Sequence, residues 1–280
     1  MGSANHLTID FEDWYHGLTS TAVMRPDWGN FESRIVRNTT WLLHVLLEAR
    51  VRATFFILGQ VAAEHPELVA DISQAGHEIG VHGCYHQMVS TMAREDFRRD
   101  LWENIKLVER ACGQRPIGFR APYFSLPQRG EWVWEVLAEA GLRYDSSVFP
   151  IKTPLYGLPK ARRQPHSIRT VYGPVREFPI STLRVMGINL PFSGGFYFRM
   201  WPYRCVRAIT RNLNAGGQSV LFYFQPWEFD PDHPRPRSVT WRERLSHYGG
   251  LRGARKKFRR LLADFQFTLL GRELEKLNEG

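Results

Sequence analysis

Short apolar runs alternate with helix-patterned stretches along the first half of this chain, and that alternation restricts its fold more than any other feature. Residues 6–11 read as a strand and residues 39–49 as a helix. Residues 53–58 form a strand whose unbroken apolarity implies burial on both faces. Residues 61–75 read as a helix stopped by Gly76, with Pro66 a local complication, and residues 78–81 as the next strand. Residues 94–111 follow as an amphipathic helix ended by Gly113, with Phe97, Leu101, Ile105 and Val108 at helical spacing. Strand, helix and strand continue at 117–120, 132–140 and 142–146. Repeated βα units of this length require a parallel sheet, either open or closed into a barrel.

The second half is less regular. Residues 149–195, rich in Pro, Gly and Arg, carry only short extended runs such as 175–179 and read as a large irregular insertion. A helix at 202–214, a strand at 219–224, a proline-punctuated loop, a basic helix near 253–264 and a last strand at 265–270 complete the chain. No repeat and no bare linker divides the 280 residues, so a single domain over 1–280 is expected although the length allows two. A hydrophobic content of 43% excludes a disordered chain. Cys84, Cys112 and Cys205 are too few and too scattered for a disulfide framework or a CxxC zinc site, which points to a reducing, cytoplasmic setting. Neither a leader peptide nor a transmembrane segment is expected, because no apolar run approaches about 18 residues.

Lys and Arg exceed Asp and Glu by 37 − 28 = 9 charges. Much of the excess lies in Arg252 to Arg260, which reads either as a helix covering the barrel with its charges in water or as a weak contact for an anionic surface. No nucleic-acid-binding motif accompanies it, so no specific nucleic-acid partner is expected.

Residues able to do chemistry gather at the strand ends. Asp10, Glu12 and Asp13 place three carboxylates after the first strand, where a bound cation would relieve their repulsion and where a solvated acidic turn is the other reading. His82 and His86, four apart after the strand at 78–81, can share a face of a helical turn and give two imidazole nitrogens to one metal. Arg120 can charge-pair a carboxylate base or make an ordinary ion pair. Asp145 can hold Arg120 or a histidine, or cap a turn.

TIDFEDW, HGCYH, FRAPY, YDSS and FYFQPWEFDP, in that order, resemble the motifs of the polysaccharide deacetylase (NodB-homology, carbohydrate esterase 4-like) family. The DxEDW opening is most similar to the branch found in bacterial exopolysaccharide gene clusters, and the resemblance runs from about residue 7 to residue 270, SGGFYFR included. It implies a distorted (β/α) barrel of seven strands that removes N-acetyl groups from amino sugars or glycans with one divalent metal, zinc first. Carried over, Asp10 matches the catalytic base and Arg120 the arginine that tethers it. Asp13, His82 and His86 match the metal ligands, with Glu12 the rival of Asp13. Tyr123 lies where a backbone N–H holds the oxyanion, and Asp145, Ser146 and Ser147 match the acetyl pocket and its support. Trp227 is expected at the substrate, as are Trp14, Tyr15, Phe124 and Tyr197, whose flat rings suit sugar faces or rim packing. Gly194 and Gly195 either let backbone approach a ligand or make a tight turn.

Gln225 departs from the family, which has a histidine there as general acid. Glutamine donates a hydrogen bond but does not titrate near neutral pH, and loss of such a donor typically costs about 10²–10⁴-fold. Three readings stand: the acid comes from His16 or His233; the leaving group needs less protonation, as in a cyclic amide; or the chain binds carbohydrate with little turnover.

Overall fold

The computed structural model describes residues 4–18, 25–153, 156–236 and 239–278. Strand β1 (Asn5–Phe11) is buried along its whole length, because β2 (Thr54–Ile57) and β10 (Leu221–Phe224) run parallel to it on either side. From β2 the sheet continues through β3 (Glu78–Val81), β4 (Gly118–Phe119), β5 (Tyr144–Asp145) and β7 (Gly173–Glu177), all parallel. Seven parallel strands therefore run in the order β10-β1-β2-β3-β4-β5-β7, and β6 (His166–Thr170) adds an antiparallel edge. β11 (Phe267–Thr268) pairs with the start of β1. The sheet curls into the distorted (β/α) barrel expected.

The curl is stitched where strand pairing stops. The Ser193 carbonyl accepts the Tyr223 N–H at 3.2 Å, its hydroxyl donates to the Ser181 carbonyl at 2.8 Å, and the Ser181 hydroxyl accepts the Leu221 N–H at 2.9 Å. Side chains thus do part of the closure that a longer strand would otherwise do.

Helices cover the sheet. α1 (Ile35–Ala49) and α4 (Arg94–Cys112) turn apolar stripes inward, Phe97, Leu101, Ile105 and Val108 of α4 being buried as their spacing predicts. Each such side chain contributes about 1.5–3 kcal/mol. The single helix expected over 61–75 is two, α2 (Gly59–Glu64) and α3 (Pro66–Gln74). Pro66 lacks an N–H and starts α3 at the position where none is needed. α5 (Glu131–Glu139) precedes β5.

Residues 149–195 are less of an insertion than expected. They contribute β6 and β7 to the main sheet, the latter beside β5, and a hairpin of β8 (Thr182–Val185) and β9 (Ile188–Pro191). The β7 partner lies about thirty residues upstream, beyond the reach of local patterning. α6 (Gly195–Met200), α7 (Tyr203–Ala215), α8 (Trp241–Tyr248), α9 (Leu251–Asp264) and α10 (Leu270–Asn278) follow. α8 and α10 were not expected, and the last strand is shorter than 265–270. α8 does have a local signal, the Thr240/Glu243 capping box.

The basic helix α9 buries Leu251, Ala254, Phe258, Leu261 and Leu262. Three of its cations are engaged within the fold. Lys257 Nζ donates to the carbonyls of Arg199 at 2.5 Å and Trp201 at 2.8 Å, Arg255 donates to the Phe229 carbonyl at 2.5 Å, and Arg259 pairs with Glu48 at 2.6 Å. Among the described residues no helix is long and apolar enough to cross a membrane.

Candidate metal centre and active site

A cavity of about 320 Å³ opens at the C-terminal ends of the parallel strands. Asp10 and Glu12 reach it from β1, His82 and His86 from the loop after β3, Tyr123 and Phe124 from the loop after β4, and Gln225 and Trp227 from the loop after β10. Side chains from neighbouring strand ends meet there because parallel strands all deliver their C-termini to one face.

Glu12, His82 and His86 place their ligand atoms within 4.8 Å of one another, all buried. Glu12 Oε2 lies 2.5 Å from His86 Nε2 and 4.0 Å from His82 Nε2. His82 Nδ1 faces the Arg120 carbonyl at 2.8 Å and so carries the hydrogen, leaving the Nε2 lone pair for the centre of the group. Burial lowers His82 and takes His86 down to about 3, so both imidazoles are neutral. Burial also pushes the Glu12 carboxyl up to about 8, with Asp10 adding to the rise. A divalent cation reverses that penalty, and two neutral imidazoles with one carboxylate suit zinc or a similar ion with coordination positions left open. The loop differs from the helical turn expected: His86 has a φ of 51° and Gly83 one of 74°, which swing the two rings together without a helix.

Asp13 is not beside the histidines. Its Oδ2 accepts from Ser33 Oγ at 2.6 Å and from the N–H groups of Arg34 and Ile35 at 2.9 and 3.2 Å, and Oδ1 accepts from the Trp14 N–H at 2.8 Å. Asp13 therefore anchors the start of α1, and the carboxylate at the centre is Glu12. The chain turns just after β1, where the Glu12 N–H donates to the Asp10 carbonyl at 3.0 Å, and it sends Glu12 into the cavity and Asp13 toward the start of α1.

Arg120 is fully buried. It donates from Nη1 to Asp10 Oδ1 at 2.7 Å and Thr8 Oγ1 at 2.8 Å, and from Nε and Nη2 to the carbonyl and hydroxyl oxygens of Ser146 at 2.9 and 2.7 Å. Ser146 thus holds Arg120 and does not line the cavity. Asp145, also expected at the substrate, lies behind it as well. It accepts from Trp134 Nε1 at 2.9 Å and from Ser147 Oγ, whose oxygen in turn accepts the Ala121 N–H. Burial raises Asp145, and burial plus the Asp145 charge raise Glu177 well above the usual carboxylate range, so a proton stays with this pair. Tyr123 and Phe124 both have left-handed backbone, at φ 55° and 52°, a costly conformation for non-glycine residues that fixes the loop beside His86.

Gln225 lines the cavity, and its N–H donates to Glu228 Oε2 at 3.1 Å. Neither histidine nominated for its missing role lines it. His16 packs on Trp28 with Nδ1 accepting the Asp13 N–H at 3.0 Å, and His233 lies against Trp14 and Tyr248 with Nδ1 2.6 Å from the Asp230 carbonyl. Burial holds His16 well below its ordinary value and His233 at about 4. Besides His82 and His86, His247 of α8 also reaches the cavity, stacked on Trp227 at 4.0 Å and 14°. Trp227 Nε1 in turn sits 3.5 Å from Glu12 Oε1. In the same cavity lining a buried Arg199–Glu228 pair at 2.8 Å ties α6 to the Gln225 loop, and Arg199 also donates to the carbonyls of Ser246, His247 and Gly249. Gly194 and Gly195 serve close approach to Tyr223 of β10: a Cβ on Gly194 would lie 2.1 Å from its carbonyl oxygen.

Residues 26–144 match a family model described as polysaccharide deacetylase, and residues 146–274 match one described as a domain of unknown function (DUF3473). A chitooligosaccharide deacetylase of Sinorhizobium fredii is 36% identical over 108 residues, 37% of this chain and 47% of that protein. A peptidoglycan-N-acetylglucosamine deacetylase of Bacillus cereus is 29% identical over 105 residues, 38% of each chain. The chain thus spans less than half the length of these curated relatives. In fold it resembles a Mycobacterium smegmatis protein assigned to the polysaccharide deacetylases, with a TM-score of 0.63 at 19% identity over 99% of this chain and 92% of that one. It also resembles Puue allantoinase, with a TM-score of 0.57 at 16% identity over 95% and 87%. Motifs and matched models agree: residues 26–144 of this chain form a polysaccharide deacetylase (NodB, carbohydrate esterase 4) domain, which runs directly into the domain of unknown function.

Proposed function

We propose that this protein is a metal-dependent amide hydrolase that removes an acyl group, N-acetyl first, from an amino sugar or glycan, with zinc as its metal. The observation that carries this reading is the buried Glu12, His82 and His86 group sharing one cavity with the Asp10–Arg120 pair. The names of the relatives, deacetylases of chitooligosaccharide and peptidoglycan, support it.

When bound, a divalent cation supplies Lewis acidity toward an acyl oxygen and acidifies water. Asp10 takes the water proton at Oδ2, since Arg120 occupies Oδ1 and fixes the carboxylate's orientation. The backbone of Tyr123 is the candidate donor to the acyl oxygen as it gains charge. As the carbon–nitrogen bond breaks, the proton held by Asp10 is available to the departing nitrogen, while Gln225 can only offer that nitrogen a hydrogen bond. Because Gln225 does not titrate, a cyclic or activated amide is the second reading.

The two family models meet across β5, which pairs with β4 of the first and β7 of the second, so we read one domain. Cys84, Cys112 and Cys205 form no disulfide among the described residues, and we read a reducing, cytoplasmic setting. The test is a hydrolysis screen of the zinc-loaded protein on N-acetylated sugars, oligosaccharides and small cyclic amides. Asp10→Asn and His82→Ala should each lose at least about 10²-fold. Full activity in both variants would overturn the reading.

A further inference from the structure

The deacetylase-like groups of the cavity, Asp10, Glu12, His82 and His86, all precede residue 146. Apart from Gly17, Tyr123 and Phe124, the rest of its lining comes from the region whose family model carries no function: Tyr156, Phe196, Tyr197, Trp227 and His247 stand there around Gln225. We infer that residues 146–274 are the ring-holding wall of this active site, that they take an uncharged sugar ring, and that Phe196 and Tyr197 are specificity residues for it. The inference rests on reading the cavity as a sugar amidase site.

Three observations carry it. The wall is built to be stiff: Arg199 and Lys257 tie α6, α8 and α9 together through backbone carbonyls, and the two glycines seat α6 directly on β10. Stiffness of this kind lowers the ordering cost of binding. The wall also presents flat rings and hydroxyls. Phe196 and Tyr197 are only half-buried, unlike the core aromatics around them, and an aromatic face with a polar tip suits the C–H face and hydroxyls of a sugar. Finally, among the described residues the wall has no free cation. Arg199 is the one Lys or Arg among the described lining residues, and its Nε, Nη1 and Nη2 are all engaged, by Glu228 and three carbonyls. A carboxylate or phosphate on the ring would find no cation in this wall to pair with. At about 320 Å³ the cavity is near the low end of ligand pockets, about 300–1,000 Å³, and holds one ring.

Calorimetric binding and steady-state kinetics of the full-length, zinc-loaded protein test this, with N-acetylglucosamine, its β-1,4 disaccharide and N-acetylglucosamine 6-phosphate as probes. We expect Phe196→Ala and Tyr197→Ala each to raise Kd, and KM more than they lower kcat, by about tenfold. Tyr197→Phe should fall between Tyr197→Ala and wild type, and Val171→Ser, on the exposed β6–β7 turn, should match wild type. The 6-phosphate should bind at least about tenfold more weakly than the neutral sugar. A wild type that binds neither neutral sugar, a 6-phosphate that binds as well, or alanine variants with Kd and KM within twofold of wild type would each overturn the wall. The two readings fail separately. Neutral sugar bound, weakened by the variants and never hydrolysed, keeps the wall and removes the amidase; hydrolysis with KM indifferent to both variants does the reverse. Should Tyr197→Ala not fold, Phe196→Ala decides.

Discussion

Arg199→Leu removes one partner of an ion pair in which both side chains are 1% exposed. The change leaves Glu228 buried without its cation and deprives the carbonyls of Ser246, His247 and Gly249 of their donor. Breaking a buried pair from one side costs about 3–5 kcal/mol, against a total stability of about 5–15 kcal/mol for a folded domain. At roughly 2 °C per kcal/mol for a chain of this size, the melting temperature should fall by about 6–10 °C. The deficit should also depend on pH. Burial already raises Glu228 to about 7 despite the pull of Arg199, and losing that pull raises it further. The folded variant then keeps a proton that the unfolded chain gives up above about 4.5, so its stability falls as pH rises, more steeply than in the wild type. Scanning calorimetry at pH 5 and pH 8 should find the larger deficit at pH 8. Adding Glu228→Gln should restore at least about 1 kcal/mol, because the amide is neutral and still accepts the Gln225 N–H. A single variant that melts within 2 °C of wild type, or a double variant whose losses simply add, would refute the view of Arg199 as the latch of this wall.

Asp13→Ala should cost about 0.5–2 kcal/mol in thermal unfolding through the lost cap on α1 and leave zinc content unchanged, whereas Glu12→Ala should lose the zinc by elemental analysis. Glu177→Gln should flatten the pH profile of stability. The wild type holds a proton on the Asp145–Glu177 pair that the unfolded chain releases above about 4.5, so urea unfolding should find the variant gaining on wild type as pH rises from 4.5 to 8. Gln225→His should raise N-acetyl sugar hydrolysis by about tenfold or more if the missing proton donor is the only defect; an unchanged rate removes that explanation.

The alternation of strands and helices, and the clustering of Asp10, Glu12, His82, His86 and Arg120 at strand ends, were legible in the sequence. Hydrophobic period and strand-end position are local properties, carried by residues within a few places of one another. Tertiary structure alone decided which acid turns inward. Asp13 looks equivalent to Glu12 on paper until the start of α1, about twenty residues on, claims its oxygens. It also decided that Asp145 and Ser146 stand behind the site, because Arg120 and Trp134 reach them first. The aromatic wall was the least legible part. Arg199 meets Glu228 29 residues away and the end of α8 47 to 50 residues away, and neither periodicity nor spacing encodes such partners. Local chemistry names the candidates here; long-range hydrogen bonds choose among them.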